Sequence, residues 1–137
     1  MHTYKKPSVT TDIIILNENK EVVLIKRKND PYKDFWAIPG GFIDYGETVE
    51  NAAIREAKEE TNIDVELKNI CGVYSDLNRD PRGHTISIVY IGQGNVEKMK
   101  ASSDAKDIKF FSFDEVEKID LAFDHSKILK NAYKLLF

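Results

Sequence analysis

Gly40-Gly41-Phe42-Ile43-Asp44-Tyr45-Gly46-Glu47, running through Thr48 into Arg55-Glu56-Ala57-Lys58-Glu59-Glu60, is the stretch that decides how this chain is read. Residues 48–61 contain no glycine or proline and many good helix formers, which predicts a helix. Thr48 is placed to cap it, and Glu47 and Glu50 suit its positive end. At roughly 100° per residue, Glu56, Glu59 and Glu60 fall within an arc of about 100° and converge on one side. Val49, Ala52 and Ala53 share that side one to two turns earlier, and small apolar residues predict close packing there. The three acids are therefore expected to point inward or into a cleft. Glu56 and Glu60 as an i, i+4 pair repel by about 0.2–0.5 kcal/mol even on an exposed helix, and burial raises that cost steeply. Arg55 can pair with Glu59, but one arginine cannot neutralise three carboxylates. Divalent cations can, and oxygen ligands without His or Cys select magnesium, manganese or calcium over zinc.

Working outward, residues 9–16 are rich in β-branched side chains and predict a strand. A turn at 17–20 and a second strand at 21–26 complete a predicted hairpin. Residues 28–34 read as a loop, and 35–38 as a short apolar stretch stopped by a turn at Pro39-Gly40-Gly41. Beyond the helix, 65–77 is extended with a bend at Gly72, 78–83 is a turn, and 85–92 alternates as a strand. Residues 97–106 read as a polar loop and 109–113 as an aromatic strand that takes Phe110, Phe111 and Phe113 into the sheet. Residues 114–118 and 124–136 read as helices. No repeat or linker interrupts this order, so residues 1–137 are expected to form a single α/β (α+β) domain with a mixed sheet.

The 137 residues are 42% hydrophobic and 31% charged, the balance of a globular protein with a real core. A formal net charge of -3 gives no electrostatic footprint for nucleic acid. An anionic ligand must then be met by local arginines or bound cations. The single cysteine, Cys71, excludes an intramolecular disulfide and reads as a buried small hydrophobe. The start at residues 1–7 is polar and basic, unlike a signal peptide, and the apolar run 13–16 is too short to span a bilayer. No membrane partner and a cytoplasmic location are expected.

With those residues in view, the segment from Gly41 to Ile63 resembles the signature of the Nudix hydrolase family. Gly41, Glu47, Arg55, Glu56, Ala57, Glu59, Glu60 and Ile63 stand at the family's spacings over 23 residues. Asn62 replaces the second glycine of the pattern, and asparagine is the next most tolerant residue in a left-handed helix exit. The resemblance implies a Nudix-like mixed β-sheet sandwiched between helices, with the signature as a loop-helix-loop. It implies hydrolysis of nucleoside diphosphates linked to another group. Glu56, Glu59 and Glu60 would hold Mg2+ (or Mn2+) with the backbone carbonyl of Gly41. Arg55 would orient a glutamate, and Glu47 would support the loop or reach a metal-bound water. The general base stays open between Glu56 and an acid of the loop at 97–107.

Three further stretches narrow the substrate. Asp80-Pro81-Arg82-Gly83-His84-Thr85, Leu121-Ala122-Phe123-Asp124-His125 and Ser103-Asp104-Ala105-Lys106 resemble segments of Nudix members acting on ADP-ribose. Arg79 and Arg82 offer forks suited to phosphate oxygens. Phe35, Trp36 and Tyr45 are candidates to stack on a base or cover the cleft, with core packing the competing reading, and Asp104 and Phe123 are candidate substrate contacts. His84 and His125 read as local hydrogen-bonding residues. ADP-ribose, cleaved to AMP and ribose 5-phosphate, is the expected substrate. The rival readings are a pyrophosphohydrolase for damaged nucleoside triphosphates of the 8-oxo-dGTP type and a nucleotide-sensing module without catalysis. A calcium-binding or purely structural domain lacks any calcium-loop pattern. By analogy with related hydrolases, a homodimer is left open.

Overall fold

The computed structural model describes residues 5–102 and 104–137. Residues 1–4 of the polar start and Ser103 of the loop motif lie outside the described residues. The chain runs β1 (Ser8–Leu16), β2 (Val22–Arg27), β3 (Trp36–Ala37), β4 (Gly40–Phe42), α1 (Val49–Thr61), β5 (Val65–Tyr74), β6 (Thr85–Gly94), β7 (Ala105–Phe111), α2 (Phe113–Val116) and α3 (His125–Leu136).

The strands make one mixed sheet in the order β3-β2-β1-β6-β5, with β4 on β1 and β7 on β2. The β1–β6 pairing is parallel and the other strand pairings are antiparallel. β1 is central and buried on both faces from Thr10 onward, which explains its continuous apolar run. Its side chains alternate between two cores. Ile13 and Ile15 join Val23, Ala53, Ala57 and Ile63 on the α1 side, while Ile14 and Leu16 join Leu24, Ile128 and Leu129 on the α3 side. The sheet is thus covered by helix on each face, as the resemblance implies.

The predicted hairpin is only partly a hairpin. β1 and β2 are antiparallel but pair at Leu16↔Val22 alone, then diverge. Past that point β4 lies on β1, and β3 and β7 lie on β2. The divergence opens the sheet, and the functional cleft sits in the opening.

Gly40-Gly41, expected as a turn, is instead strand β4, with Asp12↔Gly40, Thr11↔Gly41 and Thr10↔Phe42 in register. The missing side chains permit this approach. A Cβ on Gly40 would sit 2.2 Å from the Thr11 carbonyl oxygen, and one on Gly41 would sit 2.6 Å from the Glu56 carboxylate. β7 starts and ends earlier than the aromatic strand read at 109–113, because Ser112 caps α2 in a capping box with Glu115 and draws Phe113 into the helix.

α1 begins as expected. The Asn51 N–H donates to Thr48 Oγ1, and Asn62 ends the helix left-handed at φ 61°. Its buried face is Ala52, Ala53 and Ala57, all fully covered. Each buried methyl contributes only about 0.8 kcal/mol, but small side chains let the helix axis approach the sheet. That approach brings the carboxylates of Glu56 and Glu60 to the cleft.

Candidate active site

The cleft has a volume of about 360 Å³ and is walled by β1, β2, β4, α1, the β5–β6 loop and the segment before α3. Its titratable lining, among the described residues, is Asp12, Asp44, Glu56, Glu60 and Asp80 against Arg27, Arg79 and Arg82, with His125. Five acids face three arginines. Such a cavity repels a polyanion unless cations enter with it.

Glu56 and Glu60, one helical turn apart on α1, both line the cleft. Glu60 is driven up to about 8, first by burial and then by the nearby Glu56 charge, with the Gly40 N–H pulling the other way. Its Oε2 is buried without a hydrogen-bond partner. Burial also raises Glu56, against the hydrogen bond it accepts from Arg55. An unpartnered carboxylate oxygen of this kind is costly. It fits an all-oxygen site for a hard divalent cation, as does the glycine that lets the β4 backbone lie on Glu56.

Glu59 does not share this setting. Its side chain is 58% exposed and turned to Arg55. On the helix it lies toward the Arg55 edge, roughly 100° around from Glu60. Among the described residues no three acidic, His or Cys side chains already converge as an ion cage. The expected convergence is therefore realised for Glu56 and Glu60, and Glu59 stands at the flank.

Arg55 explains that arrangement. Its Nε and Nη2 donate to both oxygens of Glu47 at 2.7 and 2.9 Å, and Nη1 donates to Glu56 at 2.8 Å and Glu59 at 3.2 Å. Nη2 also reaches the Phe42 carbonyl at 3.1 Å, and Asp44 lies 3.5 Å away. The guanidinium fork ties the loop between β4 and α1 to the helix. The Arg55 hydrogen bond, with one from the Asp44 N–H, holds Glu47 down at about 2. The sequence pairing of Arg55 with Glu59 is present, and the Glu47 pairing is its strongest partner.

The arginines expected at phosphate are both engaged. Arg79, its side chain 5% exposed, donates to both oxygens of Asp124 at 2.9 and 2.7 Å. Arg82 donates to Asp80 through Nε at 3.1 Å and Nη2 at 2.8 Å. Burial pushes the Asp80 carboxyl up, but hydrogen bonds from Arg82 hold it below its usual range. Both arginines still line the cleft.

Phe123 lines the cleft in a left-handed conformation, φ 52°. Phe35 does not line it. It meets Tyr32 edge-on at 5.4 Å in a small core with Ile25, Ala37 and Ala122, because the apolar underside of β2 and β3 needs covering. Trp36 packs on Phe111 at 4.9 Å in the α3-side core, and Tyr45 is fully exposed. Asp104 sits in an exposed turn off the cleft, its N–H donating to Ser102 Oγ. His125 is buried, and its Nδ1 accepts from the Ile38 N–H at 3.0 Å. Burial drops it to about 3, so it stays neutral. His84 meets the Ser75 carbonyl. Cys71 is half-buried beside the Tyr74 hydroxyl.

Sequence reasoning missed Asp12, Arg27, Phe42 and Asp80. Asp12 lies in the central strand, 8% exposed, and Ser87 Oγ donates to it at 2.6 Å. Burial raises it to about 6. The available signal was an acid inside an apolar run, which globular cores rarely accept without a reason. Ser87 and Thr85, the polar set of β6, are the buried set at this end of the strand.

Cleft and fold together define a class: an α+β domain whose loop-helix-loop presents carboxylates beside an arginine-flanked cavity. The match to the family model for the NUDIX domain runs over residues 6–132, and the chain belongs to the Nudix family. It is 51% identical to an ADP-ribose pyrophosphatase of Methanocaldococcus jannaschii over 128 residues, covering 93% of this chain and 74% of the relative. The structure matches the NUDIX domain of Shewanella oneidensis NrtR complexed with ADP ribose at TM-score 0.85 and 25% identity, covering 98% and 91% of the two chains. It also matches a bifunctional NMN adenylyltransferase/ADP ribose pyrophosphatase of Francisella tularensis, complexed with AMP and a Mn ion, at TM-score 0.84 and 31% identity. That match covers 97% of this chain and 43% of the other. No described helix is long and apolar enough to cross a membrane.

Proposed function

We propose that the chain hydrolyses the pyrophosphate bond of ADP-ribose, giving AMP and ribose 5-phosphate, with Mg2+ as the cation and Mn2+ able to replace it. The observation that carries this reading is the buried, unpartnered Glu60 oxygen in a cleft with more acids than arginines. The likeness to the Methanocaldococcus jannaschii ADP-ribose pyrophosphatase supports the choice of substrate.

Glu56, Glu59, Glu60 and the Gly41 carbonyl would hold the cation, Glu59 by turning from Arg55. When bound, the cation neutralises the diphosphate and lowers the pKa of a water. The chain's own residues do the rest. Arg55 holds Glu47 and Glu56 in fixed orientation. Arg27, Arg79 and Arg82 give the cleft its positive wall. Glu97, Asp104 and Asp107 do not line the cleft, which favours Glu56 over the loop as acceptor of the water's proton. Partners are small nucleotides.

A substrate panel tests this. ADP-ribose, 8-oxo-dGTP, nucleotide sugars and dinucleotides are each incubated with Mg2+ or Mn2+, and phosphate is read after phosphatase coupling. The expected result is fastest turnover of ADP-ribose, with AMP and ribose 5-phosphate as products. Preference for 8-oxo-dGTP would move the chain to the triphosphate reading. Tight binding of ADP-ribose without cleavage would make it a sensing module.

A further inference from the structure

A second groove, of about 290 Å³, lies between α2 and α3 and shares no lining residue with the cleft. Its floor is apolar. Val116 and Leu129 are buried there, and Phe113 and Leu121 are half-buried. At its edge Tyr133 stacks on Phe137 at 4.8 Å, and Phe113 meets both rings at 5.7 Å. Tyr133 is 49% exposed and Phe137 is 61% exposed, so the ring cluster is left open on its outer side. The helical period accounts for it. α3 sends His125, Ile128, Leu129 and Ala132 into the core, while Ser126, Lys130, Tyr133 and Phe137 recur every three to four residues as a second stripe on the side toward α2.

The charges at the rim are sorted by lip. Asp114 and Glu117 stand on the α2 lip, Lys130 and Lys134 stand on the α3 lip, and all four are exposed. Among the described residues, none of the four makes an ion pair within the chain. A purely acidic or purely basic partner would match one lip and be repelled by the other. A second copy of the same face matches both. With a two-fold axis along the groove, the acidic lip of each copy lies over the basic lip of the other. Such a contact is isologous and closes at two copies. Exposed aromatic rings at its centre and charges at its rim are the usual anatomy of a protein interface.

We propose that the α2–α3 groove is a self-docking face, in which two copies of this chain pack their ring clusters together and pair Asp114 and Glu117 of one with Lys130 and Lys134 of the other. The segment that floors the groove at Leu121 reaches the cleft at Phe123 and His125. The second copy therefore covers the outer side of the strip that walls the cleft. This inference does not depend on the reaction proposed there, and its test does not use activity.

The experiment is sedimentation equilibrium of the full chain at physiological salt. It compares the wild type, Asp114→Lys with Glu117→Lys, Lys130→Glu with Lys134→Glu, and an equal mixture of the two variants. Alone, each variant sets like charges face to face, and its dimer dissociation constant is expected to rise at least about tenfold over the wild type. In the mixture every lip again meets one of opposite sign, and the dissociation constant is expected to return to within about threefold of the wild type. That recovery also shows that both variants are folded. A wild type that stays monomeric at about 100 μM overturns the proposal. So does a wild-type dimer that neither variant weakens, because it uses another face. Weakening in both variants with no recovery on mixing overturns the reciprocal pairing.

Discussion

At the scale of single residues, Glu60 is the acid of the cleft that burial perturbs most. Its carboxyl is held near 8 in the fold against an ordinary 4.5. A raised folded pKa means that its stabilising contribution is complete below 4.5 and is lost as pH rises through 8. Glu60→Gln keeps the shape of the protonated form and never ionises. In EDTA, the variant should therefore gain on the wild type between pH 4.5 and 8, reaching on the order of 4–5 kcal/mol by urea denaturation. His125 titrates alike in both proteins and drops out of the difference, whereas Asp12, whose charge helps to raise Glu60, is coupled to it and contributes to the difference. Saturating Mg2+, the proposed cation, should bind the folded wild type and shrink the gap. A variant no more stable than the wild type at pH 8 in EDTA would mean that Glu60 is not the strained acid described. The spacing of Glu56, Glu59 and Glu60 was legible, because helical periodicity needs only local sequence. The separate position of Glu59 was not, since it depends on which way Arg55 reaches. Asp12 was hidden for a similar reason: its partner Ser87 is 75 residues away.

At the scale of elements, a buried ion pair ties the β5–β6 loop to the segment before α3. Arg79 follows β5 in the loop, Asp124 precedes α3, and their two-pronged ion pair joins segments 45 residues apart. Both side chains are largely buried, at 5% and 18% exposure. Removing one partner strands the other. Arg79→Ala and Asp124→Ala should each cost about 3–5 kcal/mol, while the double variant should cost well under their sum. Equilibrium denaturation of the three variants reads this directly, and additive losses would show that the pair carries no coupling. In sequence Arg79 looked like a phosphate fork. Nothing local distinguishes a guanidinium facing phosphate from one facing a carboxylate of another element. Gly40-Gly41 differs from its reading as a turn: two glycines after proline predict one, but here they let β4 lie flat on β1 beneath Glu56.

At the scale of the whole molecule, a mixed sheet with a few helices followed from the run of strands, the capped acidic helix and the C-terminal helix, and the placing of helices on both faces followed from the family resemblance. The residue alternation of β1 into two cores follows from strand period alone. The divergence of β1 and β2 did not, because a hairpin pattern does not say how far its strands stay paired. That divergence makes the cleft, and the small alanine face of α1 brings two acids into it. The proposed function therefore rests on charge: a cleft with five acids and three arginines favours a diphosphate that arrives with cations. The most direct test is calorimetric titration of a methylene-bridged ADP-ribose analogue into the chain in EDTA and in Mg2+, for the wild type and for Glu56→Gln with Glu60→Gln. Wild-type affinity should rise at least about tenfold with Mg2+, and the double variant should lose that gain. Equal wild-type affinity with and without Mg2+, or a double variant that keeps the full gain, would contradict the account.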